Sequence, residues 1–280
     1  MKSIFKVLTL QSKPPGEKLE KICRESNNVD KLALLFPRGK EPKLNVNTRF
    51  SDGLTPLHVC CFKGHIESVT FLLGVPSLDV DATIEADGSN ALHKACLQGH
   101  TQIVALLLPR CNINAQTKMG NTALHYACWD RKIDIVCALL AAKASHLANV
   151  DGYPPLLAAA FYGQAKIVQL LTEQGADLLA ADTGGRTCLH IAAEANHLAV
   201  LAYVVSAGQP ATAHTPTLTP TFTSRGGRPA VRAVDIKALL FTKDSAGRMP
   251  IGNNASLHPL HTLTLTLTLT LTLTLTLTHW

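Results

Sequence analysis

The sequence predicts an all-α solenoid of stacked helix pairs with projecting β-turns, followed by a low-complexity C-terminal tail. Three observations carry that reading. A six-residue motif recurs five times: Gly53-Leu54-Thr55-Pro56-Leu57-His58, Gly88-Ser89-Asn90-Ala91-Leu92-His93, Gly120-Asn121-Thr122-Ala123-Leu124-His125, Gly152-Tyr153-Pro154-Pro155-Leu156-Leu157 and Gly185-Arg186-Thr187-Cys188-Leu189-His190. Its last position steps by 35, 32, 32 and 33 residues, and such a period marks stacked supersecondary units. Each copy is followed by apolar residues at helical spacing. Beyond Gly208 the pattern collapses, and Leu-Thr repeats eight times from Leu263 to Thr278.

Taken in order, residues 1–16 form an N-terminal segment whose apolar stretch Lys6 breaks, leaving it too short for a signal peptide. Residues 17–47 read as a degenerate capping repeat, with Ile22, Val29, Leu32, Leu34 and Leu35 patterned among charges. Residues 48–208 hold the five copies. In the third, Thr122 is placed as a hydroxyl cap for a first helix running from Ala123 to about Trp129. Pro56 and Pro155 sit in the first turn of their helices, where the missing N–H costs nothing. A second helix follows with Ile135, Val136, Leu139 and Leu140 on one face. A glycine (Gly64, Gly99 or Gly163) joins the two helices. Arg131 and Asn196 replace it in copies three and five, so those turns are expected to be slightly altered.

After the array come a Pro/Thr/Gly-rich linker or insertion at 209–230, a degenerate remnant at 231–251 and the low-complexity tail at 252–280. In the remnant, Val234-Asp235-Ile236-Lys237-Ala238-Leu239-Leu240 reads as a second helix and Asp244-Ser245-Ala246-Gly247-Arg248 as the opening of another copy. Gly247 lies 62 residues after Gly185, close to two periods, so 209–251 reads as one interrupted repeat followed by the start of another. The pure dipeptide run points to a hexanucleotide repeat in the coding sequence, and to a chain cut short from a larger protein. Its strict alternation is also an aggregation hazard.

The G-x-T-P-L-H core, the A-C or A-A pair after it and the later I-V-x-x-L-L run resemble the ankyrin repeat, as does Leu44-Asn45-Val46-Asn47 at the end of the capping unit. That resemblance implies a structural role for His58, His93, His125 and His190, whose rings would bond turn backbone and tie neighbouring repeats. It also implies a concave binding face built from turn tips and first helices.

Net charge is +6, but it is unevenly spread. Residues 1–50 carry eleven Lys or Arg against five acids. Residues 51–210 carry nine against thirteen, and 211–280 carry six against two. A mildly acidic body argues against nucleic acid as partner. No run of about 20 apolar residues exists to span a membrane. Cys61, Cys96 and Cys128 share one repeat position and read as small buried hydrophobes too far apart to bridge or chelate. The repeated histidines likewise stand on the order of 10 Å apart, too far to hold one metal. No motif for a nucleophile elbow, phosphate loop, zinc protease or dinucleotide site is present, so no catalytic residue, metal or cofactor is expected.

What remains is surface. Aromatic residues are 5% of the chain, yet Phe62, Trp129, Tyr153, Phe161 and Tyr162 fall at positions that vary between copies. With Met119, Asp130 and Asp151 they make the expected protein-binding set, and Trp129, Tyr153 and Tyr162 are expected to form one exposed patch. Phe62 and Phe161 read equally well as local core. The expected function is a non-enzymatic scaffold or adaptor, monomeric and cytoplasmic or nuclear, that binds a protein partner. The alternative is the N-terminal targeting region of a truncated larger enzyme or lipid-transfer protein.

Overall fold

The computed structural model describes residues 15–25, 27–37, 44–207 and 243–248. Linker 209–230, the tail 252–280 and the stretch Val234–Leu240 lie outside the described residues. The chain divides into two compact units, Met1–Val150 and Asp151–Trp280. Each is a stack of helix pairs, with twelve helices and no strand among the described residues.

In the first unit the pairs are α1 (Pro15–Glu25) with α2 (Val29–Leu35), α3 (Pro56–Lys63) with α4 (Ile66–Leu73), α5 (Ala91–Gln98) with α6 (Thr101–Leu107), and α7 (Ala123–Trp129) with α8 (Ile133–Ala141). First helices pack in one row, α1 on α3 on α5 on α7. Second helices pack in another, α2 on α4 on α6 on α8. The second unit repeats the plan with α9 (Pro155–Phe161), α10 (Ala165–Glu173), α11 (Cys188–Glu194) and α12 (Leu198–Ala207). No single pair has enough apolar area to close a core, so each is covered by its neighbours.

Local chemistry starts and stops these helices. Thr55, Asn90, Thr122 and Thr187 occupy the N-caps with extended backbone. Gly64 and Gly99 end α3 and α5 in the left-handed region. Copies three and five keep the same left-handed turn without glycine, at φ 56° for Arg131 and 58° for Asn196. The altered turn expected there does not occur, because packing of the helix pair fixes the backbone whatever side chain it carries. The apolar faces are buried as the spacing predicts: Ile135, Val136, Leu139, Ile103, Val104, Leu107, Ile167, Val168 and Leu171 have at most 1% exposure. Cys61, Cys96 and Cys128 are buried beside them.

Backbone bonds then tie one turn to the next. Lys118 N–H donates to Asp87 O at 2.9 Å and Val150 N–H to Met119 O at 3.1 Å. In the second unit Thr183 N–H donates to Asp151 O at 2.9 Å, and Ser245 N–H to Gly184 O at 2.8 Å. A second staple runs along the extended links. The side chains of Asn47, Asp81 and Asn114 accept from the backbone N–H of Asp79, Asn112 and Ser145, at 2.9, 2.8 and 2.8 Å. At the N-terminal end, Asn27 Oδ1 accepts from Ser68 N–H at 2.9 Å, capping α4 from outside its own pair. Helix α1 is further held by an ion pair of Arg24 with Asp52.

Candidate functional site: the histidine ladder and the turn-tip surface

Four histidines sit third from an N-cap, and each closes a reciprocal capping box with it. The N-cap backbone N–H donates to the ring Nδ1, at 3.3 Å for Thr55 to His58, 3.1 Å for Asn90 to His93, 3.0 Å for Thr122 to His125 and 3.2 Å for Thr187 to His190. With Nδ1 accepting, the proton rests on Nε2, which points at the next turn. His93 Nε2–H donates to Asn121 O at 3.2 Å, and His190 Nε2–H to Arg248 O at 3.1 Å. All four rings therefore cap their own helix, and those of His93 and His190 also bond the following copy, whereas the buried His58 Nε2 makes no such bond. In copy four Pro154 is the N-cap and Leu157 takes the histidine position, so no capping box forms.

Burial pulls His58 and His93 down to about 4, against the backbone carbonyls that face them. Both rings are neutral near pH 7, as their accepting Nδ1 requires. Burial alone would raise the Asp87 carboxyl, but the Ser89 hydroxyl and amide and the Lys94 ammonium hold it at about 2. Burial likewise pushes the Cys61, Cys96 and Cys128 thiols well up, which leaves them poor nucleophiles. Among the described residues no three His, Cys, Asp or Glu side chains converge into a metal-holding group. No helix there is long and apolar enough to cross a membrane.

A second histidine ladder escaped the sequence reading. His100 Nε2–H donates to Phe62 O at 3.2 Å and His197 Nε2–H to Phe161 O at 2.8 Å, each reaching back one copy. The rings lie against Gly64 and Gly163, where a Cβ would come within 2.6 and 2.5 Å of them. The signal was present as Gly64-His65, Gly99-His100 and Asn196-His197, one left-handed residue followed by histidine.

The expected protein-binding residues separate by exposure. On the first unit Met119 is 54% exposed, and its carbonyl bonds Val150, which is 58% exposed and was not singled out. The two make an apolar pair on adjacent turn tips. Phe62, 40% exposed, lies beneath the Lys63 ammonium, 6.0 Å from the ring centroid. Trp129, expected in an exposed patch, is half-buried because it packs edge-on to Tyr126 at 4.9 Å and His125 at 6.4 Å. Tyr126 in turn meets His93 at 5.5 Å. Asp130 is exposed but pairs with Lys132 at 3.4 Å, which offsets its charge.

On the second unit Phe161 and Tyr162 end α9 as an edge-to-face pair with centroids 5.1 Å apart, 52% and 39% exposed. Tyr153 is half-buried, its hydroxyl donating to Leu157 O at 3.0 Å, and burial pushes its pKa up. Asp151 is exposed and its carbonyl accepts the Thr183 amide. Trp129 thus belongs to the first unit, while Tyr153 and Tyr162 belong to the second. Phe62 and Phe161, read equally well as core, are exposed, as is Tyr162, which was read as surface. Trp129 and Tyr153, read as surface, are the partly covered ones.

Profile comparison matches residues 75–149 and 142–214 to a family described as ankyrin repeats (3 copies) and residues 20–73 to one described as ankyrin repeats (many copies). Among curated proteins, one named as an ankyrin repeat protein of Acanthamoeba polyphaga mimivirus is 34% identical over 98 residues, 34% of this chain and 13% of that protein. One named as an E3 ubiquitin-protein ligase of Arabidopsis thaliana is 36% identical over 91 residues, 32% of this chain and 20% of that protein. A nuclear factor NF-kappa-B subunit of Drosophila melanogaster is 37% identical over 138 residues, 45% of this chain and 14% of that protein. The chain therefore spans a fifth or less of the length of these relatives.

Proposed function

The chain belongs to the ankyrin repeat family, and on that premise we propose that it is a protein-binding scaffold or adaptor of the cytoplasm or nucleus, engaging its partner with turn tips and first-helix ends. The observation that carries this reading is the Phe161–Tyr162 pair, two large side chains held half in water at the end of a helix whose other residues are buried. Aromatic side chains fixed by packing lose little freedom on binding and dominate interface energies. The Met119–Val150 pair offers a second apolar contact on the first unit. Such a role asks no catalysis of the array.

Capture of partners by the full chain tests it. Phe161→Ala with Tyr162→Ala is expected to abolish capture, since truncating a central anchor typically costs about 2 kcal/mol or more. Both side chains project outward, so the far-UV circular dichroism of the variant is expected to match wild type. Undiminished capture by a folded variant refutes the assignment. A second reading, a targeting region of a larger protein, is favoured by the relatives' length: the proteins named as an E3 ubiquitin-protein ligase and a nuclear factor NF-kappa-B subunit extend far beyond the matched stretch. Fold alone does not choose between the two.

A further inference from the structure

From the bonds made by Asp244–Arg248 we infer that this segment is the turn of a sixth copy stacked directly on the fifth, and that the 62 residues from Gly185 to Gly247 form one step of the array rather than two. The segment reproduces the preceding turn bond for bond. In the fifth copy Gly185 N–H donates to Asp182 O at 2.9 Å and Asp182 N–H to Arg186 O at 3.1 Å; in the segment Gly247 N–H donates to Asp244 O and Asp244 N–H to Arg248 O, both at 2.9 Å. Arg186 N–H and Nε–H both reach the Asp182 carboxylate at 2.8 Å. Arg248 N–H and Nε–H reach the Asp244 carboxylate at 2.8 and 2.7 Å. Gly185 and Gly247 share φ values of 73° and 74°.

Its position is equally specific. The backbone amide bond and the histidine bond that join consecutive turns elsewhere recur here. Ser245 N–H donates to Gly184 O at 2.8 Å, as Thr183 does to Asp151 and Lys118 to Asp87. His190 Nε2–H reaches Arg248 O at 3.1 Å, as His93 reaches Asn121 O at 3.2 Å. A Cβ on Gly185 would lie 3.1 Å from Ser245 N, and one on Gly152 lies at the same distance from Thr183 N. Glu194 at the end of α11 then bridges both arginines, Arg186 at 3.4 Å and Arg248 at 3.3 Å. A whole intervening pair would place these groups a further layer away, so none of the bonds could form.

The occupant of the fifth copy's outer turn edge is therefore this chain's own segment, returning after an excursion of about 30 residues beyond the usual 32–35-residue step. Loop closure entropy grows only logarithmically with length, so a long tether weakens the return little.

Hydrogen exchange and urea unfolding of the full chain test the proposal. A peptide spanning residues 243–248 is expected to be protected roughly 100-fold over an unstructured amide. Asp244→Ala, which removes the acceptor of three N–H groups, is expected to lose at least tenfold of that protection. Deleting 211–229, less than the surplus, is expected to keep both the protection and the urea midpoint. Unprotected amides in the wild type, or a deletion variant that loses a stacked layer's worth of midpoint, overturns the proposal. So does protection that rises with protein concentration, which would mean the turn comes from a second copy.

Discussion

Acidification should loosen this array well above the pH at which carboxylates titrate, and two of the buried ladder histidines, His58 and His93, set the size of the effect. In the unfolded chain a histidine titrates near 6.5; in the fold, burial holds His58 and His93 at about 4. The unfolded chain thus binds protons that the fold refuses, so stability is full above about 6.5, falls through the window down to about 4 and is level below it. For each ring the fall from 6.5 to about 4 corresponds to roughly 3 kcal/mol over the whole window. By pH 5 each has lost about 2 kcal/mol, or about 4 kcal/mol for the pair, a large share of a typical 5–15 kcal/mol. His65, also lowered chiefly by burial, acts in the same direction. Asp87, held at about 2, contributes only as pH falls from its ordinary value near 3.8. Urea unfolding followed by circular dichroism at neutral pH and near pH 5 reads the difference. His93→Ala supplies the control: it should cost about 1–3 kcal/mol at neutral pH through the lost bonds, yet close most of that gap near pH 5. Equal midpoints for wild type at the two pH values, or a variant whose pH slope matches wild type, would refute the reasoning.

Two further outcomes test the turns. Lys143 holds φ at 62° where the next copy has Gly175 at 94°, so Lys143→Gly relieves a left-handed backbone and should raise the unfolding free energy by about 0.5–1 kcal/mol, net of the glycine's own entropy; a lowered urea midpoint would contradict this. Gly120→Ala and Gly53→Ala share the left-handed cost of about 1–2 kcal/mol. A Cβ at Gly120 would also meet Val150 N at 2.8 Å, whereas one at Gly53 meets nothing within 4 Å. The Gly120 variant should therefore melt clearly lower than the Gly53 variant, and equal melting temperatures would show that the turns do not stack so closely.

The period, the capping threonines and the 3.6-residue apolar faces are local or strictly repeated signals, so helices such as Ala123–Trp129 were legible to the residue. The turn glycines and ladder histidines were legible for the same reason: one backbone requirement recurs in every copy. Three features were settled by tertiary structure alone. Arg131 and Asn196 take the glycine conformation because the packed helix pair imposes it, which no local propensity announces. Exposure of the aromatic side chains depends on neighbours in space: Trp129 lies half-buried against Tyr126 and His125, while Phe161, meeting Tyr162 edge to face, stays 52% exposed. Lastly, counting residues made Gly247 two periods distant from Gly185, but sequence distance measures only how much chain lies between two points. The bonds from Ser245 to Gly184 and from His190 to Arg248 measure where the chain returns.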